Sequence, residues 1–239
     1  MLKNHYLHIL LLVFLSLFCN CFPQTIYGVS GLIKTPTTEV SANGKFDVGL
    51  SYFYDNKNSN RVTPNFTTQY AVWINIGVIP RVEIGLRFAT TEEIIKTQKR
   101  IGGFRSFNIK GKIINENEYL PSFALGIQDA LGKVKTFNSF YGIVSKKIPI
   151  PFNMFFLLNL GYGTDWFDFN DRQNSNYRFQ GVFGGIELIA NEFINLMIEY
   201  DADFFNYGLE IHYKNIFFLK AFLINGSHLG STLNFSFYL

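Results

Sequence analysis

Along residues 194–214, INLMIEYDADFFNYGLEIHYK, apolar and polar side chains change places at almost every step. Ile198, Tyr200, Tyr207, Leu209 and Ile211 each fall one residue from Glu199, Asp201, Asp203 or Glu210 or from another polar position. A repeat of two marks a β-strand whose faces meet different surroundings. The same alternation runs through the chain after residue 43 and predicts twelve strands of roughly ten residues. They lie near 44–54, 66–79, 81–91, 104–115, 121–131, 138–148, 153–166, 177–190, 193–203, 206–214, 216–225 and 229–239. Long polar connections (DNKNSNRVTPN, TTEEIIKTQKRIGG, DWFDFNDRQNSN) take turns with short ones (IPRV, ENEYLP, PIPF, NEF). Segregated loop lengths are the layout of an outer-membrane barrel, with tight periplasmic turns and longer outer loops, and an even strand count leaves both barrel ends in the periplasm. The expected fold class is all-β, a transmembrane antiparallel β-barrel of about 12 strands.

In such a barrel the apolar face meets lipid and the polar face lines the lumen. That sends Phe46, Val48, Leu50 and Tyr52 outward and Lys45, Asp47 and Ser51 inward. Val82, Ile84, Leu86 and Phe88 go out, leaving Glu83 and Arg87 inside; Asn108, Lys110 and Lys112 point in between Phe107, Ile109 and Ile113. Glu199, Asp201, Glu210 and His212 go in, as does Lys220 between Leu219 and Ala221. A Lys or Arg facing lipid at the midplane would cost roughly 2–4 kcal/mol, and the alternation avoids it almost everywhere. The candidate site is therefore the lumen set Glu83, Arg87, Lys110, Lys112, Glu199, Asp201, Glu210 and His212. Two roles are open to it. The charges could pair among themselves as a satisfied polar core, since buried charges are normally paired. They could instead line a conduit or binding surface for a hydrophilic polymer. Neighbouring carboxylates also suit glycosidase acid–base chemistry, but nothing in the sequence sets their separation.

The first residues change the compartment. Ile9 to Phe18 (ILLLVFLSLF) is too short to span a bilayer, which takes about 20 residues, and suits the core of a signal peptide. Cleavage before Phe22 competes with lipid modification of Cys21. The division expected is 1–21 signal peptide, 22–43 an N-terminal periplasmic or first-strand segment, and 44–239 barrel; residues 26–43 could form a strand, a plug or a periplasmic tail. Cys19 and Cys21 are the two cysteines, so a disulfide scaffold and a cysteine metal site are excluded from the exported part. A formal charge of +3 and an export signal argue against nucleic-acid binding. Aromatic residues make up 18% of the chain, with 27 Phe and 13 Tyr, while no apolar run after residue 18 approaches a spanning helix. That combination favours a membrane barrel over a soluble domain.

At the C-terminus, LGSTLNFSFYL puts Leu233, Phe235, Phe237 and Leu239 on one face and Thr232, Asn234 and Ser236 on the other. It resembles the terminal strand signal read by the outer-membrane assembly machinery, which is an expected partner along with membrane lipid. Chemical motifs are lacking: there is no GxSxG, HExxH, P-loop or dinucleotide fingerprint. No catalytic residue, metal ligand set or cofactor is expected. His212 falls on the lumen face, and Ser227–His228 is an adjacent pair in a short outer turn, a poor arrangement for a nucleophile and its base. Gly184 and Gly185 in GVFGGIE sit in mid-strand and mark a bend or a close approach.

Several stretches resemble the YjbH family of outer-membrane barrel proteins associated with exopolysaccharide production and secretion. They are GLIKTPTT (31–38), VEIGLRF (82–88), RSFNIKGKI (105–113), LPSFALGIQDALG (120–132), VSKK (144–147), GVFGGIE (181–187) and LMIEYDADFFNYGL (196–209). The resemblance implies an outer-membrane barrel that works with a polysaccharide-producing system, with exopolysaccharide and other envelope secretion proteins as partners. It carries over no catalytic residue. Larger family members resemble two barrels with periplasmic additions, whereas this chain has length for one. Trp166 and Phe167 are loop aromatics suited either to sugar rings or to anchoring at the membrane interface. The alternative function is a structural or small-solute barrel with a filled lumen.

Overall fold

The computed structural model describes residues 23–57, 65–95, 98–130, 138–164, 181–190, 193–214 and 216–238. The expected signal segment with Cys21, the aromatics Trp166 and Phe167 expected in a loop, and Leu239 lie outside the described residues. The strands are β1 (Lys45–Lys57), β2 (Asn65–Ile79), β3 (Val82–Ile95), β4 (Gln98–Ile114), β5 (Ser122–Gln128) and β6 (Ser139–Ile150). They continue as β7 (Met154–Thr164), β8 (Gly181–Ile189), β9 (Ile194–Tyr200), β10 (Phe205–Tyr213), β11 (Phe217–Ile224) and β12 (His228–Tyr238). Each pairs antiparallel with its sequence neighbour, and β1 pairs with β12 from Lys45↔Tyr238 to Phe53↔Gly230, which closes the barrel. Closure leaves no edge strand, the condition for β-structure in lipid.

The alternation sets the two surfaces. Leu50, Val72, Phe88, Leu160, Ile186, Ile198 and Phe235 are among many large apolar side chains left exposed on the outside. Lys45, Asp47, Asn75, Glu83, Lys110 and Glu210 are fully buried inside. An apolar exterior that wraps the whole sheet is far larger than the patches soluble monomers expose, so this is a membrane barrel. One connection differs from the expectation. The stretch 90–103, anticipated as a long loop, is strand for most of its length, with β3 and β4 paired up to Ile95↔Gln98. Thr90, Thr91 and Ile94–Ile95 are β-branched, which favours extended backbone over a loop. At the β11–β12 turn, Asn225 and Gly226 both take left-handed backbone, the Asn-Gly pairing of a tight hairpin, and the Ser227 N–H closes on the Ile224 carbonyl.

Residues 23–43 are neither a periplasmic tail nor a first barrel strand. They fold back inside the lumen, and Ile26, Leu32, Ile33, Thr25, Ser30 and Thr35 are wholly buried there. The physical reason is that the wall's inward polar groups require partners, and this segment supplies them.

Candidate functional site

The segment PQTIYGVSGLIKTPTTEVSANG first satisfies part of its own backbone. Gly28 takes a left-handed φ of 77° to let the Thr25–Val29 turn close, with the Thr25 N–H donating to the Val29 carbonyl at 2.7 Å. Ile26 N–H donates to Ile33 O at 2.9 Å, Gly31 N–H to Pro23 O at 2.9 Å and Thr37 N–H to Ser30 O at 3.1 Å. The result is a compact double loop that leaves a few N–H and C=O groups pointing at the wall.

Glu83 on β3 and Glu199 on β9 take the N–H groups. Glu83 accepts the Ser30 N–H (2.8 Å), the Ser30 hydroxyl (2.6 Å), the Ser41 N–H (2.7 Å) and the Asn75 amide (3.0 Å). Lys110, 3.0 Å from Glu83, neutralises it and donates to the Ser30 carbonyl at 2.6 Å. Glu199 accepts the N–H groups of Ile33 (3.0 Å), Lys34 (2.8 Å) and Thr35 (3.0 Å), the Thr35 hydroxyl (2.8 Å) and the Asn206 amide (2.9 Å). Three successive N–H groups converging on one carboxylate make a small anion-binding nest in the segment. Lys220 on β11 covers the carbonyl side, donating to Leu32, Gln24 and Gly31. Hydrogen bonds with an ionised partner are roughly twice as strong as neutral ones, and few of these groups can reach water.

The rest of the lumen continues the grip. Asp201, just past β9, binds the Lys34 ammonium at 2.8 Å. Burial alone would push the Asp201 carboxyl up, but the Lys34 charge, the Phe204 N–H and the Asn206 amide outweigh it and hold it below the usual carboxylate range. Asp47 accepts from Gln24, Ser41 and Ser236, and pairs with Lys45 at 2.8 Å. Asn108 donates to the Tyr27 carbonyl at 2.8 Å. Thr38 meets Ser122 (2.6 Å) and Ser145 (3.1 Å), and Lys112 meets Glu39 (2.7 Å). Ile26, Leu32 and Ile33 pack with Phe53, Met197, Phe222 and Ile224, an apolar layer across the half of the lumen nearer the long loops. Where the segment presses closest, the wall has no side chain: a Cβ at Gly85 would run into the Gly28 carbonyl oxygen, and one at Gly185 would sit 2.5 Å from Leu32 Cδ1.

The alternation thus brings Glu83, Lys110, Lys112, Glu199 and Asp201 onto one ligand, the chain's own N-terminal segment. Arg87 joins by placing its guanidinium over the Tyr27 ring, 5.4 Å from its centroid, and by donating to Gln69 at 3.1 Å. Glu210 and His212 have partners on the wall. Glu210 accepts from Asn195 (3.2 Å) and faces Lys220 (3.6 Å), and His212 tilts against Phe218. Sequence reasoning had no reason to single out Asn75, Ser122, Ser145 or Asn206, although period two places all four inside. Among the described residues no group of three His, Cys, Asp or Glu side chains is placed to hold a metal ion. Ser227 Oγ and His228 Nδ1 do approach to 2.8 Å, at an exposed hairpin tip where the His228 ring stacks on Tyr54.

A family model described as exopolysaccharide biosynthesis protein YbjH matches residues 23–237. No curated protein sequence matches the chain. Among solved structures, the chain is similar to the COG4313 outer membrane channel from Pseudomonas putida F1. There the TM-score is 0.47 and the identity 10%, over 86% of this chain and 100% of that one. It is also similar to the Acinetobacter baumannii outer membrane protein Omp33, with a TM-score of 0.40 and 10% identity over 82% of this chain and 98% of that one.

Proposed function

The chain belongs to the YjbH family, and from that premise we propose that it is a non-catalytic outer-membrane barrel of exopolysaccharide production and secretion, shut by its own N-terminal segment until that segment is withdrawn. The observation that carries this reading is the hold of Glu83 and Glu199 on the backbone of residues 30–35. A polymer and this segment cannot occupy the same lumen. The family match begins at residue 23, so the segment lies within the span that carries the exopolysaccharide association. Its exit is also simple: the segment runs directly into β1, where the Gly44 N–H bonds the Gly77 carbonyl, at the end of the barrel with the short turns. Withdrawal toward that end passes no chain through the wall. Another envelope protein pulling from the periplasm would supply the force.

Single-channel conductance of the refolded chain in a bilayer tests this. The full chain is expected to be silent, and a Glu83→Gln/Glu199→Gln double variant to show openings that an acidic polysaccharide blocks. Steady conductance from the unmodified chain overturns closure by the segment. Openings that the polymer never blocks favour a second reading, a structural or small-solute barrel, which draws on the same use of wall carboxylates for internal bonding. The non-catalytic part has its own check: ester hydrolysis by the purified barrel that disappears with Ser227→Ala would contradict it.

A further inference from the structure

The outside of the barrel carries a feature that contact with lipid tails does not call for. The registers of β11, β12, β1, β2, β3 and β4 align Leu219, Leu233, Leu50, Val72, Phe88 and Arg105 in one outward row. The adjoining row, one step nearer the long loops, is Ala221, Ser231, Tyr52, Tyr70, Thr90 and Gly103. The first row is aliphatic and aromatic until it ends in a guanidinium. The second carries hydroxyls. Its small residues leave a dent in the wall, a concavity of about 670 Å³ lined by Leu50, Tyr52, Tyr70, Val72, Phe88 and Arg105 among others.

Arg105 is exposed on this face and has no carboxylate partner among the described residues. It lies nine positions above Ile114, the last residue of β4. At about 3.4 Å per residue and a tilt near 45°, that is roughly 21 Å above the rim, close to the top of an apolar band about 25 Å tall. Ile113 and Ile114 are themselves exposed apolar residues, so the band begins near that rim. An arginine at this height extends its aliphatic stem along the wall and lifts its charge to the interface. Gly103 leaves the path open, since a Cβ there would meet nothing within 4 Å. A guanidinium fork beside hydroxyl donors, above an apolar groove, matches a phosphate carried on acyl chains.

We propose that this concavity binds a phosphorylated glycolipid of the outer leaflet, with its phosphate on Arg105, the Tyr70 and Thr90 hydroxyls beside it, and an acyl chain in the groove of Leu50, Val72 and Phe88. The proposal rests on the outer-membrane placement given under the proposed function, and is independent of the polysaccharide role and of the closed lumen. The test is native mass spectrometry of the refolded full chain in mixed micelles with lipid A bearing its phosphates, with dephosphorylated lipid A, and with phosphatidylglycerol. The wild-type chain retains phosphorylated lipid A in preference to the other two. Arg105→Gln lowers that retention about tenfold, the expected loss of one charge-assisted phosphate contact. Arg105→Lys, which keeps the charge and loses the fork, falls between them, and the heat-dependent gel shift of a folded barrel confirms that each variant is intact. Equal retention by Arg105→Gln, or of the dephosphorylated lipid, overturns the site. Phosphatidylglycerol held as well as lipid A overturns the assignment to the glycolipid. Neither result touches the conductance experiment, so the two readings fail separately.

Discussion

Replacing Glu199 by Gln removes one charge and one acceptor from the tightest point of the lumen. One carboxylate oxygen takes the Lys34 N–H and the Asn206 amide, and the other takes the Ile33 N–H, the Thr35 N–H and the Thr35 hydroxyl. A glutamine keeps only one oxygen. In either orientation its NH₂ faces donors, so at least one buried backbone N–H loses its acceptor and the remaining bonds become neutral ones. An orphaned buried donor costs about 1–3 kcal/mol, and weakening the other contacts brings the total to about 2–4 kcal/mol, the lower end allowing for relief of a buried charge. That corresponds to a rise of about 30- to 1000-fold in the undocked population of the segment. Amide hydrogen exchange of the refolded barrel reads it directly, because the amides of residues 33–35 exchange only when the segment lifts from Glu199. Expected is that acceleration at Ile33, Lys34 and Thr35, with the β3 and β9 amides unchanged. Protection at residues 33–35 within threefold of wild type would refute the claim that Glu199 anchors the segment.

Other perturbations probe the same lumen from different sides. Gly85→Ala puts a methyl group against the Gly28 carbonyl and should destabilise docking by about 1–3 kcal/mol, seen as earlier proteolysis of residues 23–43 with strand content unchanged. Lys220→Met strips three carbonyls of their donor and leaves Glu210 without its cation, so the thermal midpoint should fall by the equivalent of about 3–5 kcal/mol; an unchanged midpoint would mean that the barrel absorbs the loss. Acid should loosen the Lys34 end of the segment. The Asp201 carboxyl is held below its ordinary value, so its contribution is complete above about pH 4 and is lost as pH falls through the lowered folded value. Asp201→Asn should remove that part of the acid sensitivity, and a titration curve identical in the variant would exclude Asp201 as its source.

Period-two alternation is a local property of the chain, and it determined the strand number, the antiparallel barrel and the facing of every lumen candidate. Glu83 must be inside because Val82 and Ile84 cannot be, and the same logic places Glu199 between Ile198 and Tyr200. Resemblance on stretches such as LMIEYDADFFNYGL carried the family, since those residues combine strand faces with a specific order. Alternation is silent about what fills the space that the wall encloses. Residues 23–43 lack the repeat of two and hold Gly, Pro, Ser and Thr, a composition that leaves a strand, a plug and a periplasmic tail all open. The choice among them came from tertiary contacts. Glu199 meets Ile33, Lys34 and Thr35 across about 165 residues of chain. Lys220 meets Leu32 and Gln24 across almost 200. The bare wall at Gly85 and Gly185 acquires a meaning only once Gly28 and Leu32 are opposite. A buried carboxylate needs donors, but the sequence does not say which of the many donors in the chain closure of the barrel will bring within 3 Å.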